Sequence, residues 1–185
     1  MMKVVPSALP EVLLIEPDVF EDARGFFFES FNEQAFNFAT GLNVHFVQDN
    51  HSHSLHGVLR GLHYQIGRPQ GKLVRVTRGA IFDVAVDLRR DSPTFGDWSG
   101  EVLSAQNRRQ KWVPPGFAHG FLVTSECAEV LYKTTDYYAP GNERCLRWDD
   151  PVLGIAWPLS GSPLLSAKDQ AGLELQFSET FGSGI

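Results

Sequence analysis

The run KLVRVTRGAIFDVAVDL, residues 72–88, decides the fold. Its first half alternates, with Leu73, Arg75 and Thr77 on one side and Val74, Val76 and Arg78 on the other. Successive side chains of a strand point to opposite faces, so this is a strand pattern. Gly79 falls where a tight turn is needed, and AIFDVAVDL is then a nearly continuous β run ending in charges. Further strand signals follow in TFGDWSGEVL (94–103), QKWVPPGFAHGFLVTS (110–125) and AEVLYKTTDYY (128–138). Gly96, Gly116 and Gly120 sit at turns or strand bends between and within them. Strands recurring at this spacing predict a sandwich or barrel, and a double-sheet jelly roll is the best architecture. Its mouth, where inward polar side chains gather, is the natural ligand site.

Helical signals are sparse. SFNEQAFNFA (30–39) predicts a short helix capped by Ser30 or Asn32. SAKDQAGLEL (166–175) predicts another, opened by a Ser-x-x-Asp capping box. No repeat, low-complexity tract or linker divides the 185 residues, so the expectation is one domain over 1–185, with an N-terminal strand arm and a C-terminal helical tail.

Composition narrows the function classes. Hydrophobic residues make up 43% and no apolar stretch is long enough to span a membrane. The N-terminal run is broken by prolines and lacks the marks of a signal peptide, so the chain reads as cytoplasmic. Cys127 and Cys145 form no CxxC and read as two buried, reduced thiols. A net charge of −6 argues against nucleic acid. Yet Arg60, Arg68, Lys72, Arg75 and Arg78 cluster, a local basic site suited to a small anionic ligand.

Within that cluster, VLRGLHYQ (58–65) and Lys72 place a histidine and a cation about one hairpin apart. A base beside a cation suits removal of a proton next to a carbonyl, with the enolate oxygen stabilised. His63 and Gln65 stand where a metal-binding jelly roll would carry a His-x-His pair, and Gln is a poor ligand there, so the site reads as metal-free. A reference pKa of roughly 6.5 suits His63 as a base near neutrality. A catalytic His usually has an orienting carboxylate, and Asp169, Asp83 and Asp87 are all candidates. Tyr132, in VLYKTT, could return a proton as a general acid, or be a half-buried strand Tyr. Arg24 and Glu29 flank three Phe residues in DARGFFFES (22–30), where Arg could grip a phosphate and an aromatic stack a base; an edge strand with charged ends is the plainer reading. In HSHSLH (51–56), His51 and His53 imitate a metal pair, but no carboxylate follows at matching spacing, and a solvated turn is expected.

In order along the chain, DARGFFFES, QDNHSHSLHGVLRGLHYQ, the 70–98 run, WVPPGFAHGF with its continuation to Glu143, RWDDPVLGIAWP and LSAKD resemble the dTDP-4-dehydrorhamnose 3,5-epimerases, cupin enzymes of dTDP-L-rhamnose synthesis. The resemblance spans about Glu16 to Asp169. It implies an all-β, cupin-type jelly roll with short peripheral helices, a homodimer, no cofactor and no metal. It implies His63 as base, Asp169 as its orienting carboxylate, Lys72 as cation and Tyr132 as acid. Substrate contacts fall on Arg24, Glu29, Gln48, Asn50, Arg60, His119, Glu143 and Lys168. The implied substrate is a dTDP-4-keto-6-deoxyhexose inverted at C3 and C5. Three rivals stand beside this reading: a C3- or C5-only epimerase, a nucleotide-sugar-binding cupin without activity, and a metal-dependent cupin enzyme.

Overall fold

The computed structural model describes residues 2–182. Thirteen strands and two α-helices are formed among them: β1 (Lys3–Pro6), β2 (Leu13–Glu16), β3 (Phe20–Asp22), β4 (Gly25–Phe27), α1 (Glu33–Thr40), β5 (Gln48–Leu55), β6 (Leu59–Gln65), β7 (Lys72–Arg78), β8 (Ala80–Asp87), β9 (Trp98–Ser104), β10 (Gln110–Val113), β11 (Phe117–Val123), β12 (Cys127–Thr134), β13 (Glu143–Cys145) and α2 (Ala167–Gln170). One sheet has the order β1-β2-β10-β7-β12-β5 and the other β13-β6-β11-β8-β9, while β3 and β4 form a separate hairpin. From β5 onward the chain mostly changes sheet at each connection, the winding of a cupin-type jelly roll.

The opening segment forms β7 and β8, joined at Gly79, whose φ is +73°. A Cβ there would meet the Cys127 carbonyl oxygen, so the tight connection requires glycine. The β8 run is nearly continuous because it is covered on both faces. Val84 and Val86 pack beneath the C-terminal segment, whereas Ile81 packs between the sheets with Val74, Val76, Val123 and Val130. Each fully buried Val or Leu contributes roughly 1.5–3 kcal/mol, so this dry end holds the sheets together. At the other end of the same strands the inward positions turn polar: Lys72 on β7, His119 on β11 and Tyr132 on β12.

Three sequence expectations change in detail. In HSHSLH, His51 to Leu55 are not a turn but part of β5, an edge strand pairing with β12, and only His56 lies in the turn that follows. The odd positions of β5 point outward and are exposed, and its even positions Asn50, Ser52 and Ser54 point inward. The predicted helix over 166–175 stops at Gln170, because Gly172 lies against the Leu146 backbone, where a Cβ would come within 2.7 Å of the carbonyl oxygen. The two cysteines are free but only half-buried. Helix α1 starts as expected at Asn32, whose side chain accepts the Ala35 N–H at 3.0 Å.

Candidate active site

A cavity of about 340 Å³ opens at the polar end, within the size range of small-ligand sites. Asn50, Arg60, His63, Lys72, His119, Tyr132, Glu143 and Lys168 line it, joined by Ser52, Gln65, Gln70 and Tyr138. His63 comes from β6 in one sheet, and Tyr132 and Lys72 come from the other.

The close approach of β6 to β11 sets the His63 wall. A Cβ on Gly61 would lie 2.6 Å from the Gly120 Cα, and one on Gly120 would lie 2.6 Å from the Arg60 carbonyl oxygen. With both glycines in place, His63 and His119 become direct partners across the two strands. Behind His63, α2 presents Asp169, with Oδ1 2.7 Å from His63 Nε2. The ring N–H is not aimed straight at the oxygen, so the contact acts as a close charge approach, strongest when the imidazole is protonated. Burial alone would raise the Asp169 carboxyl. The contact with His63, the Ser166 hydroxyl at 2.6 Å and the Gly61 N–H at 3.1 Å overcome that and hold it well below the ordinary carboxylate range. The capping box read from the sequence is formed by the same carboxylate, which thus serves the helix and the histidine together.

Lys72 is buried and donates to the His63 carbonyl oxygen at 3.0 Å. Desolvation brings its pKa down to about 8, against the pull of Asp83 and Glu143. It therefore remains an ammonium at neutral pH. Burial raises the Tyr132 phenol, with Arg60 and Lys168 opposing, so it carries its proton. His119 Nε2 lies 2.7 Å from Asp83 Oδ2, and both residues are buried. Over the cavity, Glu143 accepts from Lys168 at 2.6 Å and from the Tyr138 hydroxyl at 2.8 Å. Arg60 donates to Ser54 at 2.9 Å.

Gln48 stands at the rim, donating to Asn50 at 2.9 Å and accepting the Tyr138 N–H at 3.0 Å. Arg24 and Glu29 are not brought into this cavity. Arg24 projects from the β3–β4 hairpin and pairs with Asp22, and Glu29 accepts from Asn32. The reason is that the hairpin stands apart from both sheets within the chain. The carboxylate sought for His51 and His53 arrives from the next strand as Glu129, at 3.4 and 3.7 Å, but Arg78 approaches the same group. Asp87 does not orient His63; it binds Arg89, Ser92 and Thr94 instead.

Sequence reasoning did not find what Gln65 and Cys145 do. Buried Gln65 donates to the Arg68 and Tyr137 carbonyls and accepts the Ala139 N–H, bracing the loop that carries Tyr138. Cys145 pairs with His63 across β13 and β6, and potential ligand atoms of His63, Cys145 and Asp169 lie within 4.8 Å of one another. Burial pushes the Cys145 thiol up to about 12, which leaves it protonated and a poor metal ligand.

A jelly roll with a carboxylate-backed histidine on one wall, and a phenol and an ammonium on the other, defines a cupin-type protein equipped for proton transfer. The family model for dTDP-4-dehydrorhamnose 3,5-epimerase matches residues 6–176, and the chain belongs to that family. It is 63% identical over 180 residues to dTDP-4-dehydrorhamnose 3,5-epimerase of Pseudomonas aeruginosa, covering 97% of this chain and 99% of the relative. Its structure superposes with a TM-score of 0.97, at 47% identity and complete coverage of both chains, on the Legionella pneumophila dTDP-6-deoxy-D-glucose-3,5-epimerase in complex with dTDP-4-keto-L-rhamnose. A 3'-monoepimerase from Streptomyces bikiniensis, ChmJ, is also similar, at TM-score 0.86 and 35% identity, over 92% of this chain and 87% of that one.

Proposed function

We propose that this chain is a dTDP-4-dehydrorhamnose 3,5-epimerase, converting dTDP-4-dehydro-6-deoxy-D-glucose to dTDP-4-dehydro-L-rhamnose. The observation that carries the reading is that His63 and Tyr132 line one cavity from different sheets, with Lys72 between the reacting groups in chemistry and close to His63 in space. Inversion at carbon needs two proton-handling groups on opposite sides of the ring, and one histidine alone cannot supply both.

The C4 ketone acidifies the C–H bonds at C3 and C5. His63 removes one of these protons. With Nε2 committed to Asp169, Nδ1 is the nitrogen available to accept it, and the Asp169 carboxylate stabilises the resulting imidazolium. Lys72 holds the enolate oxygen. Tyr132 returns a proton to the opposite face, and the cycle repeats at the second carbon. No net electrons move, so the chemistry calls for no redox cofactor.

Arg60 and Lys168 are the cations at the cavity suited to the diphosphate. Asn50, Gln48, His119 and Glu143 supply polar contacts to the sugar nucleotide. Arg24, Glu29 and the aromatic face of Phe26 enter the site from the partner in a homodimer, where the exposed β3–β4 hairpin reaches across. The exposure of Phe20, Phe26 and Phe27 supports that role. The described residues 2–182 belong to one cupin domain in this reading, and residues 1 and 183–185 of the expected 1–185 span lie outside those described. Among the described residues no helix is long and apolar enough to cross a membrane.

Turnover of dTDP-4-keto-6-deoxyglucose in deuterium oxide tests the assignment. Deuterium at both C3 and C5 of an L-rhamno product is expected. Label at one carbon alone means a mono-epimerase, and binding without exchange means a cupin that only holds the nucleotide sugar.

A further inference from the structure

Lys111 on β10 is a charged residue that the chemistry above leaves unused, and its side chain is completely buried. Lysine is among the residues least often found in that state without a partner. Its ammonium donates to the main-chain oxygens of Asp83 at 2.8 Å and Ser99 at 3.0 Å. It also lies 3.3 Å from Asp83 Oδ1. The other oxygen of that carboxylate, Oδ2, lies 2.7 Å from Nε2 of His119, which lines the reaction cavity. Side chains from β10, β8 and β11 thus run in line from the interior to the cavity wall, one anion shared between a cation and an imidazole.

The charge balance gives the line a function. His119 is faced by Asp83 from β8, by Lys72 from β7 and by Lys111 from β10, and it is paired in register with His63 on β6. Burial lowers the basicity of Lys111 itself, and Asp83, with Glu101 on β9 behind it, opposes that and favours the ammonium. A buried Asp83 balanced by His119 alone would draw a proton onto the imidazole. That would set a second cation beside Lys72. With Lys111 in place the anion is already balanced.

We propose that Lys111 is a positioning residue for epimerisation: it holds Asp83 as a carboxylate aimed at His119, and so presents His119 to the substrate as a neutral imidazole with Nε2–H on Asp83 and the Nδ1 lone pair free. Burial lowers the basicity of His119, and Lys72 and Lys111 push the same way against Asp83. Two main-chain oxygens accept from the Lys111 ammonium, and Asp83 Oδ1, which makes no hydrogen bond of its own, adds a close charge contact at 3.3 Å. The catalytic consequence rests on the epimerase reading; the charge state of His119 does not.

The test is nitrogen-15 NMR of the imidazoles in the free enzyme, with His119 assigned among the six histidines by its loss in His119→Asn. In the unaltered protein His119 is expected to stay neutral, in the Nε2–H form, from pH 6 to 8. In Lys111→Met its protonation midpoint is expected to rise by one pH unit or more. At pH 7 kcat falls at least tenfold with KM changed less than threefold, and the deficit narrows as the pH rises from 6 to 8. A His119 already charged at pH 7 in the unaltered protein overturns the proposal, and that measurement stands even where Lys111→Met does not fold. So does an unchanged His119 titration in folded Lys111→Met. Failure of the epimerase reading is separable, because it appears as no turnover by the unaltered enzyme while the imidazole titrations still judge Lys111.

Discussion

His63 Nε2 lies 2.7 Å from Asp169 Oδ1, joining a central strand to a one-turn helix near the far end of the chain. The helix owes its start to the same carboxylate, since Asp169 closes the capping box with Ser166. Folding of the C-terminal segment therefore completes the base. His63→Ala is expected to lower turnover by about 10²–10⁴-fold, the usual contribution of a general base. Asp169→Asn keeps the side chain's shape but removes the charge that stabilises the imidazolium. A loss on the order of 10²-fold or more in kcat is expected, with dTDP affinity nearly unchanged by calorimetry.

The phenol gives a sharper test, because it separates proton removal from inversion. Tyr132→Phe leaves His63 and Lys72 in place on their own strands. The expected result is exchange of substrate C–H for deuterium in deuterium oxide, with little inverted product. Loss of exchange equal to the loss of inversion counts against Tyr132 as the opposite-face acid.

Lys72 sets the alkaline side of the pH profile. Its pKa is brought down to about 8 by burial, and the charged form is the one that stabilises an enolate. Activity governed by this group is full below pH 8 and falls as the pH rises through it. The same shift has a sign for stability. The unfolded lysine binds its proton more tightly, near 10.5, so burying it costs stability at neutral pH and the cost shrinks as pH rises from about 8 toward 10.5. Lys72→Met is expected to abolish the alkaline limb, to lower kcat by about 10²–10³-fold, and not to lower the Tm.

How much of this was legible in the chain follows from which contacts are local. The alternation in 72–78 and the turn at Gly79 are local, and they give β7, β8 and the change of sheet between them. His63 and Lys72 are nine residues apart, so their nearness could be read from spacing, but β6 and β7 stand in opposite sheets and not in the one hairpin the spacing suggests. Asp169 could not be assigned that way, because Asp83 and Asp87 offer the same chemistry at other positions. Only the register of β8 shows Asp83 turned toward His119, and only its end shows Asp87 bound to Arg89. Arg24 failed to join the cavity because a hairpin separate from both sheets has no position dictated by its own sequence. HSHSLH hid its strand because histidine and serine carry no apolar alternation, though every second side chain does point inward. Lys111 resembles an ordinary outward lysine until its carbonyl and carboxylate partners on β8 and β9 are seen.

Gly61 couples backbone to chemistry. Its φ of +111° disfavours any other residue, and an added Cβ would stand 2.6 Å from the Gly120 Cα. Its N–H also holds Asp169 at 3.1 Å. Gly61→Ala is expected to cost roughly 1–3 kcal/mol or more by forcing β6 from β11. It also lowers kcat by loosening the base. Chemical denaturation and steady-state kinetics on one preparation measure both.

Asp87 offers a stability prediction away from the cavity. Its side chain is fully buried and would be raised by that alone, but Arg89, Ser92 and Thr94 bring it down to about 2 from an ordinary 3.8. The difference corresponds to roughly 2 kcal/mol in favour of the folded state. A carboxyl depressed on folding stabilises fully above its unfolded pKa, and that stability is lost as pH falls through the folded value. The contribution is therefore complete at pH 5 and above and fades between about 4 and 2. Asp87→Asn is expected to lower the Tm by about 4–8 °C at pH 7, since about 2 kcal/mol moves a chain of this size by that amount. The gap between variant and unaltered protein closes as the buffer is taken below pH 3. A gap that is constant with pH assigns the loss to packing and hydrogen-bond geometry and removes the charge of Asp87 as its cause.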